Sequence, residues 1–197
     1  MIREIDKNQI SRGKLMTSRD LARLECGGCA GCSSCCRARG SLIVLDAWDV
    51  QKLKEGLNYS FTGLVENNLI QLSVIDGVVL PCLPVDEERD ACAFLNEEGR
   101  CGIYNSRPGI CRMFPLARIY HEDGSFSYFL QEGECERAGG AKIRISTWMG
   151  IENVKEYERQ VRAYHDALVQ LKKDCADAAD TGEIVRLQQD FLKRWFA

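Results

Sequence analysis

The chain has 197 residues, and 45% of them are hydrophobic, which is ordinary for one globular domain with a helical extension. The formal net charge of −3 gives no basic surface for a polyanion, so nothing electrostatic favours nucleic-acid binding. No run approaches the ~18 apolar residues of a membrane span, and the first ten residues lack the apolar run of a signal peptide. We therefore expect a cytosolic (cytoplasmic) protein with neither a membrane nor a nucleic-acid partner.

The first part of the chain predicts a lead-in followed by a metal-binding loop. Residues 1–25 form the lead-in, and residues 17–24 predict a helical turn directly before the first cysteine. Residues 26–36 contain five cysteines separated by Gly, Ala and Ser. These small residues let the backbone turn tightly and direct several cysteine sulfurs inward. We expect a cysteine-cluster domain over residues 26–140.

The middle of the chain predicts short helices and hairpins, and therefore an α+β fold. Asp76-Gly77 is a signal for a two-residue hairpin turn, and residues 122–124 take the same place in a second hairpin. The predicted elements are a strand over 40–45, a helix capped by Asp46 that runs through Leu53 and ends near Gly56, a helix over 61–69, and hairpins over 70–80 and 116–130.

Residues 141–197 predict a C-terminal αα-hairpin. Asn153 with Glu156 is expected to cap the first helix, and Asp180 with Glu183 resembles a capping box that opens the second. The apolar stripe of the first helix comprises Val154, Tyr157, Val161, Tyr164, Leu168, Leu171 and Cys175, and that of the second comprises Ile184, Leu187, Phe191 and Trp195. We expect the hairpin to pack on the cysteine domain; the alternative is a homodimer seam.

The cysteines carry the chemistry. The chain has 11 cysteines, an odd number that argues against a pure disulfide framework. In the reducing cytosol, clustered cysteines more often bind metal or carry out redox chemistry than form disulfides. Two sets are candidate ligands, the first comprising Cys26, Cys29, Cys32, Cys35 and Cys36 and the second comprising Cys92, Cys101, Cys111 and Cys135. Cys82 and Cys175 are expected to be core residues.

The spacing indicates an all-sulfur metal site. Each C-x2-C step lets two thiolates reach one ion across a tight turn, and the two histidines, His121 and His165, are not near a cysteine pair. This leaves zinc, an iron–sulfur cluster or a thiolate-rich iron site. Serial C-x2-C steps exceed what one structural zinc needs and so favour an iron–sulfur cluster, although two zinc sites satisfy the same count. Adjacent Cys35 and Cys36 are expected to point apart, as in an extended backbone.

Two arginines flank Cys111. Arg107 and Arg112 are expected either to donate N–H groups to thiolate sulfurs or to balance the charge of a four-thiolate site. The alternative is surface charge beside a turn.

The combined motifs resemble a known family. Cys29-x2-Cys32-x2-Cys35-Cys36 is followed by Cys101-Gly-Ile-Tyr, Arg107-Pro-Gly-Ile-Cys111-Arg and Phe114-Pro-Leu. This pattern resembles the YkgJ-family cysteine-cluster proteins, whose CxxCxxCC domain is described as zinc- or iron-chelating. The resemblance implies metal ligation by Cys29, Cys32, Cys35, Cys36, Cys92, Cys101, Cys111 and Cys135; Cys26 lies outside the family pattern.

The leading hypothesis is a metal-binding protein that holds an iron–sulfur cluster or zinc through these thiolates. A related cysteine domain occurs in flagellin lysine N-methylases, so the resemblance also implies an alternative, an S-adenosylmethionine-dependent protein methyltransferase. A metal chaperone or sensor is a further alternative. No catalytic residue can be assigned from spacing, so the sequence leaves open whether the protein is an enzyme.

Overall fold

The computed structural model describes residues 14–24, 32–37, 43–131, 135 and 140–197, and the predicted α+β fold is confirmed there. In these ranges the α-helices are α1 (Ala47–Leu57), α2 (Phe61–Glu66), α3 (Gly109–Met113), α4 (Ile145–Met149), α5 (Val154–Asp177) and α6 (Thr181–Phe196). The strands are β1 (Leu21–Arg23), β2 (Ile43–Val44), β3 (Gln71–Ile75), β4 (Val78–Leu83), β5 (Val85–Asp86), β6 (Ala91–Cys92), β7 (Leu116–Tyr120), β8 (Phe126–Leu130) and β9 (Lys142–Arg144).

All described strand pairs are antiparallel, in the orders β1-β9, β2-β4-β3, β5-β6 and β7-β8. The β3-β4 hairpin forms as predicted, with Ile75 opposite Val78. Its turn residues Asp76 and Gly77 have φ angles of 49° and 82°, the left-handed pair that a tight hairpin turn requires. The β7-β8 hairpin is also confirmed.

The helical turn predicted over residues 17–24 is wrong. The Asp20 carboxylate accepts hydrogen bonds from Thr17 N at 2.7 Å and from Thr17 Oγ1 at 2.9 Å, which closes a turn. The next three residues, Leu21–Arg23, form β1 and pair with Lys142–Arg144. Ala22 is buried while both of its neighbours are exposed, so pairing with a distant strand overrides the local helical preference.

Local capping explains where the helices begin. Asp46 accepts a hydrogen bond from Asp49 N at 2.9 Å, and the Asp49 carboxylate accepts one from Asp46 N at 3.2 Å, a reciprocal capping box. Asn153 and Asp180 cap α5 and α6 as predicted. Helix α2 ends at Glu66, three residues before the predicted end, and Asn68 has a φ angle of 54°, which no α-helix accommodates.

The C-terminal helices pack on α1 and the β3-β4 hairpin. From α5 and α6, Tyr164, Leu171, Phe191 and Phe196 join a core with residues of the earlier elements: Leu45, Val50, Leu53, Leu64, Ile70, Ile75, Val78, Leu80, Leu83 and Ile103. A second core lies around Tyr128, Tyr157 and Met113. Helix α5 therefore contributes to both cores and connects them. In the described residues no helix has the length and apolar character to cross a membrane.

Candidate metal centre

Separate segments bring five of the predicted ligands into one neighbourhood. A 3₁₀ turn over Ser34–Cys36 carries Cys35 and Cys36, β6 carries Cys92, and α3 carries Cys111. Cys101 pairs with Leu95 in an isolated antiparallel bridge. A second bridge, between Arg37 and Ala91, anchors the end of the first cysteine motif beside β6.

Cys35 and Cys36 do not point apart, so the prediction for this pair is wrong. Their sulfurs are 3.8 Å apart. The reason is the backbone, which is a 3₁₀ turn here and not the extended chain that alternates side chains. Cys36 N donates to Ser33 O at 2.8 Å, and this hydrogen bond helps to close the turn. Both sulfurs can therefore serve the same centre.

The neighbouring cysteines also affect one another's acidity. The hydrogen bond with Cys35, then burial, then the charges of Cys35, Cys92 and Cys111 raise the pKa of Cys36. Burial raises the pKa of Cys111 most strongly, and Arg107 lowers it. Thiols that raise one another's pKa hold their protons more tightly, and a bound cation would reverse this by favouring the thiolates.

Cys92 and Cys101 belong to the same group. Burial is the largest cause of the raised pKa of each, and the charge of Cys35 adds to the effect in both. Backbone N–H groups oppose it, from Phe94 at Cys92 and from Ile103 at Cys101. The interacting set is therefore Cys35, Cys36, Cys92, Cys101 and Cys111.

Arg107 lies among these sulfurs. Burial lowers the pKa of Arg107, but the charges of Cys111, Cys35, Cys101 and Cys36 outweigh burial and raise it above its ordinary value. Arg107 Nη2 donates to Cys111 O at 2.6 Å, so its hydrogen bond here goes to the backbone of a predicted ligand. The side chain thus fixes the Cys111 backbone while its positive charge lies beside the thiols.

Arg112 acts on the preceding loop. Its Nε donates to Arg107 O at 3.0 Å, and its Nη2 donates to Asn105 O at 2.7 Å. Burial, then the neighbouring Arg107 charge, lower its pKa. Arg112 therefore connects α3 to the loop that carries Arg107.

The remaining cysteines occupy other positions. Cys26 and Cys29 lie outside the described residues. Cys32 Sγ is 3.5 Å from Ser34 Oγ, directly before the 3₁₀ turn, and Cys135 is half-buried between residues 132–134 and 136–139, which are not described. Cys82 is fully buried on β4, and Cys175 packs half-buried against the main core. Over the described ranges, no three His, Cys, Asp or Glu side chains converge closely enough to hold one ion.

Sequence reasoning missed the role of Asp49. Its carboxylate accepts a hydrogen bond from Gly109 N at 2.6 Å, which connects α1 to the start of the helix that carries Cys111. The available signal was an acidic residue three positions after the Asp46 cap. That spacing indicates the capping box but not the second bond, which depends on the tertiary fold.

A family model matches residues 28–137, more than half of the chain, and its description is "CxxCxxCC: Putative zinc- or iron-chelating domain". The chain belongs to this family. The match confirms the resemblance seen in the motifs and supports metal binding. No curated protein and no solved structure matches the chain. The family description names chelation, and no finding supports the methyltransferase alternative.

Proposed function

We propose that the protein binds zinc or an iron centre through Cys35, Cys36, Cys92, Cys101 and Cys111, with Cys29, Cys32 and Cys135 as further ligands. The observation that carries this proposal is that the Arg37–Ala91 bridge sets Cys35 and Cys36, whose sulfurs are 3.8 Å apart, beside the strand of Cys92, with the half-buried Arg107 close by. Cysteine clusters of this kind suit thiophilic metals and exclude the oxygen-ligand ions magnesium and calcium.

The charges of the neighbourhood support the same function. A divalent ion held by four thiolates keeps a net charge of about −2, and an arginine near the sulfurs offsets part of that charge. Arg107 has this position, since four of the cysteines raise its pKa. In the protein without metal, the same thiols keep their protons, because burial and mutual repulsion raise their pKa values.

The bound metal would link two distant parts of the chain. The first motif ends at Cys36, and Cys92 and Cys111 follow far downstream, so their shared ligation closes a long loop. Metal binding to a site of this kind contributes directly to folding, because the unfolded chain does not hold the ligands together. A structural role for the centre is therefore the one we propose, in a cytosolic protein.

The test is anaerobic purification of the full chain followed by metal analysis and an absorption spectrum. Colourless protein with bound zinc identifies a zinc site, whereas brown protein with acid-labile sulfide and a broad band near ~400 nm identifies an iron–sulfur cluster. Iron without sulfide identifies a thiolate iron site. Protein that binds neither metal, before or after anaerobic reconstitution with either one, would refute the proposal.

A further inference from the structure

Asp49 is a buried carboxylate in an unusual position. The residue is 1% exposed, and it lies in the first turn of α1. Its two oxygens accept separate hydrogen bonds, from Asp46 N at 3.2 Å and from Gly109 N at 2.6 Å. Burying a charged group is costly unless its partners compensate, so these partners define the role of the residue.

The hydrogen bond from Gly109 N to Asp49 fixes the start of α3, the helix that carries Cys111. Gly109 is the first residue of α3, and Pro108 before it provides no side-chain cap. The Tyr157 side chain also lies against Gly109, since a Cβ atom built on Gly109 would clash with the Tyr157 ring and hydroxyl. The first residue of α3, two positions before Cys111, is thus hydrogen-bonded to the Asp49 carboxylate and packed against Tyr157.

The buried ion pair between Asp46 and Arg118 supports the position of Asp49. Asp46 accepts from Asp49 N at 2.9 Å, and Arg118 Nη2 lies 3.4 Å from the other Asp46 oxygen. The Arg118 guanidinium also lies 5.8 Å from the ring centroids of Phe126 and Tyr157. The acidic pair is therefore compensated by a cation that packs against the same tyrosine as Gly109.

We propose that Asp49 is a positioning residue for the metal centre, which holds Cys111 in place through its hydrogen bond to Gly109 N. This inference depends on the proposed function, since it assigns Cys111 as a ligand. Outer hydrogen-bond partners of this kind orient a ligand, and their loss lowers metal affinity. Asp46 and Arg118 support the position of Asp49 from the side of α1 and β7.

The experiment titrates the full-length protein with Co²⁺ as the probe metal, since thiolate-to-cobalt absorption reports the number of sulfur ligands. Asp49→Ala removes the acceptor, and we expect about 10–100-fold weaker Co²⁺ binding and less thiolate absorption per bound ion. Asp49→Asn keeps one acceptor oxygen for Gly109 N, and we expect affinity and spectrum near those of the wild type. Asp49→Ser, whose side chain is too short to reach Gly109, should behave like Asp49→Ala and replaces it if that variant does not fold.

The control is Asp180→Ala, which removes an aspartate cap from α6, where Asp180 accepts from Glu183 N at 2.9 Å. This variant should lower stability and leave the cobalt spectrum unchanged. Three results would overturn the positioning role and leave the proposed function standing. The first is wild-type affinity and spectrum in Asp49→Ala or Asp49→Ser. The others are a loss of binding in Asp49→Asn, or in Asp180→Ala, as large as that in Asp49→Ala. Absence of thiolate absorption in the wild type would overturn both.

Discussion

The C-terminal helices and residues 85–107 differ in what they bury. The helices bury Tyr164, Phe191 and Phe196 against α1 and the β3-β4 hairpin. Residues 85–107 carry two of the clustered cysteines, and their buried apolar residues are Ala91, Leu95 and Ile103. In the first region, aromatic rings pack against one another, as in the stacked pair of Phe61 and Phe196 with centroids 5.3 Å apart. In the second, turns, short bridges and half-buried thiols take the place of large apolar side chains.

This difference assigns a different source of stability to each region. Burial of apolar area, at about 25 cal/mol per Å², stabilises the helical core without help from a ligand. Residues 85–107 bury fewer apolar side chains, although Cys92, Phe94 and Cys101 pack against the same core. At the end of the second region, Arg107 and Arg112 donate hydrogen bonds to the backbone, and Asp49 accepts one from Gly109 N. The proposed metal would add to the stability that these bonds provide. The two regions should therefore respond differently to mutation and to metal removal.

The largest expected effect separates a ligand cysteine from a core cysteine. Cys111→Ser should lose tight metal binding, by more than the about 10–100-fold that is typical for loss of an outer partner. Cys101→Ser should do the same. Cys175→Ser is the matched control, since Cys175 lies on α5 and none of the clustered cysteines affects its pKa; it should retain metal at the wild-type stoichiometry. Metal analysis of the purified variants checks this; retention in Cys111→Ser with loss in Cys175→Ser would show that the ligands are assigned wrongly.

A core substitution should have the opposite selectivity. Phe196 is 1% exposed and contacts the rings of Phe61, Tyr164 and Phe191, so Phe196→Ala should lower the free energy of unfolding by about 3–5 kcal/mol. The metal affinity of the folded protein should stay close to that of the wild type. Urea unfolding and metal titration measure the two quantities. A large loss of affinity with little loss of stability would remove the distinction between the regions.

These two regions also differ in how much of them the sequence could predict. The Asp76-Gly77 turn and the caps at Asp46, Asn153 and Asp180 were predicted because each depends on residues within a few positions. Strand β1 was missed because its partner, Lys142–Arg144, lies far away in the chain. Local signals are sufficient for helices and hairpins but not for long-range pairing.

For the candidate site, the identity of the cysteines was visible and their arrangement was not. The spacing marked Cys35, Cys36, Cys92, Cys101 and Cys111, and in the folded chain each of these thiols has a raised pKa or contributes to raising that of another. The turn that brings the Cys35 and Cys36 sulfurs within 3.8 Å has no clear signal in a Gly- and Ser-rich run. The hydrogen bond from Gly109 to Asp49 joins segments that only the folded chain brings together.

A smaller effect is expected at Arg107. Arg107→Gln removes the charge near the thiols and weakens the hydrogen bond to Cys111 O, so metal affinity should fall by about tenfold. Arg159→Gln is the control, because Arg159 pairs with Glu156 on the exposed surface of α5. Metal titration in competition with a chelator measures both variants. Equal affinities for Arg107→Gln and the wild type would mean that the arginine is only structural.

The pH dependence should be the smallest effect. The stability of the metal-free protein should fall as the pH rises, whereas the affinity for metal should increase. Burial raises the pKa of Cys92 and Cys101 above the ordinary thiol value, so the folded protein without metal keeps protons that the unfolded chain releases. This contribution to stability is complete below the unfolded pKa of about 8.5 and is lost as the pH rises through the folded values. Metal binding releases protons, so metal affinity should increase with pH.

Urea unfolding of the metal-free, reduced protein between pH 7 and 9 checks this sign. The unfolding midpoint should fall towards the upper end of the range. A rise over the same interval would contradict the burial of protonated thiols.

The most direct test of the central claim, that metal holds the cysteine region while packing holds the helices, is hydrogen exchange of the full-length protein with and without its metal. Metal removal should increase the exchange of amides in residues 85–112 and leave protection within α5, from Tyr157 to Leu171, close to its original level. Equal exchange in both states over residues 85–112, or an equal loss of protection in both regions, would contradict the account.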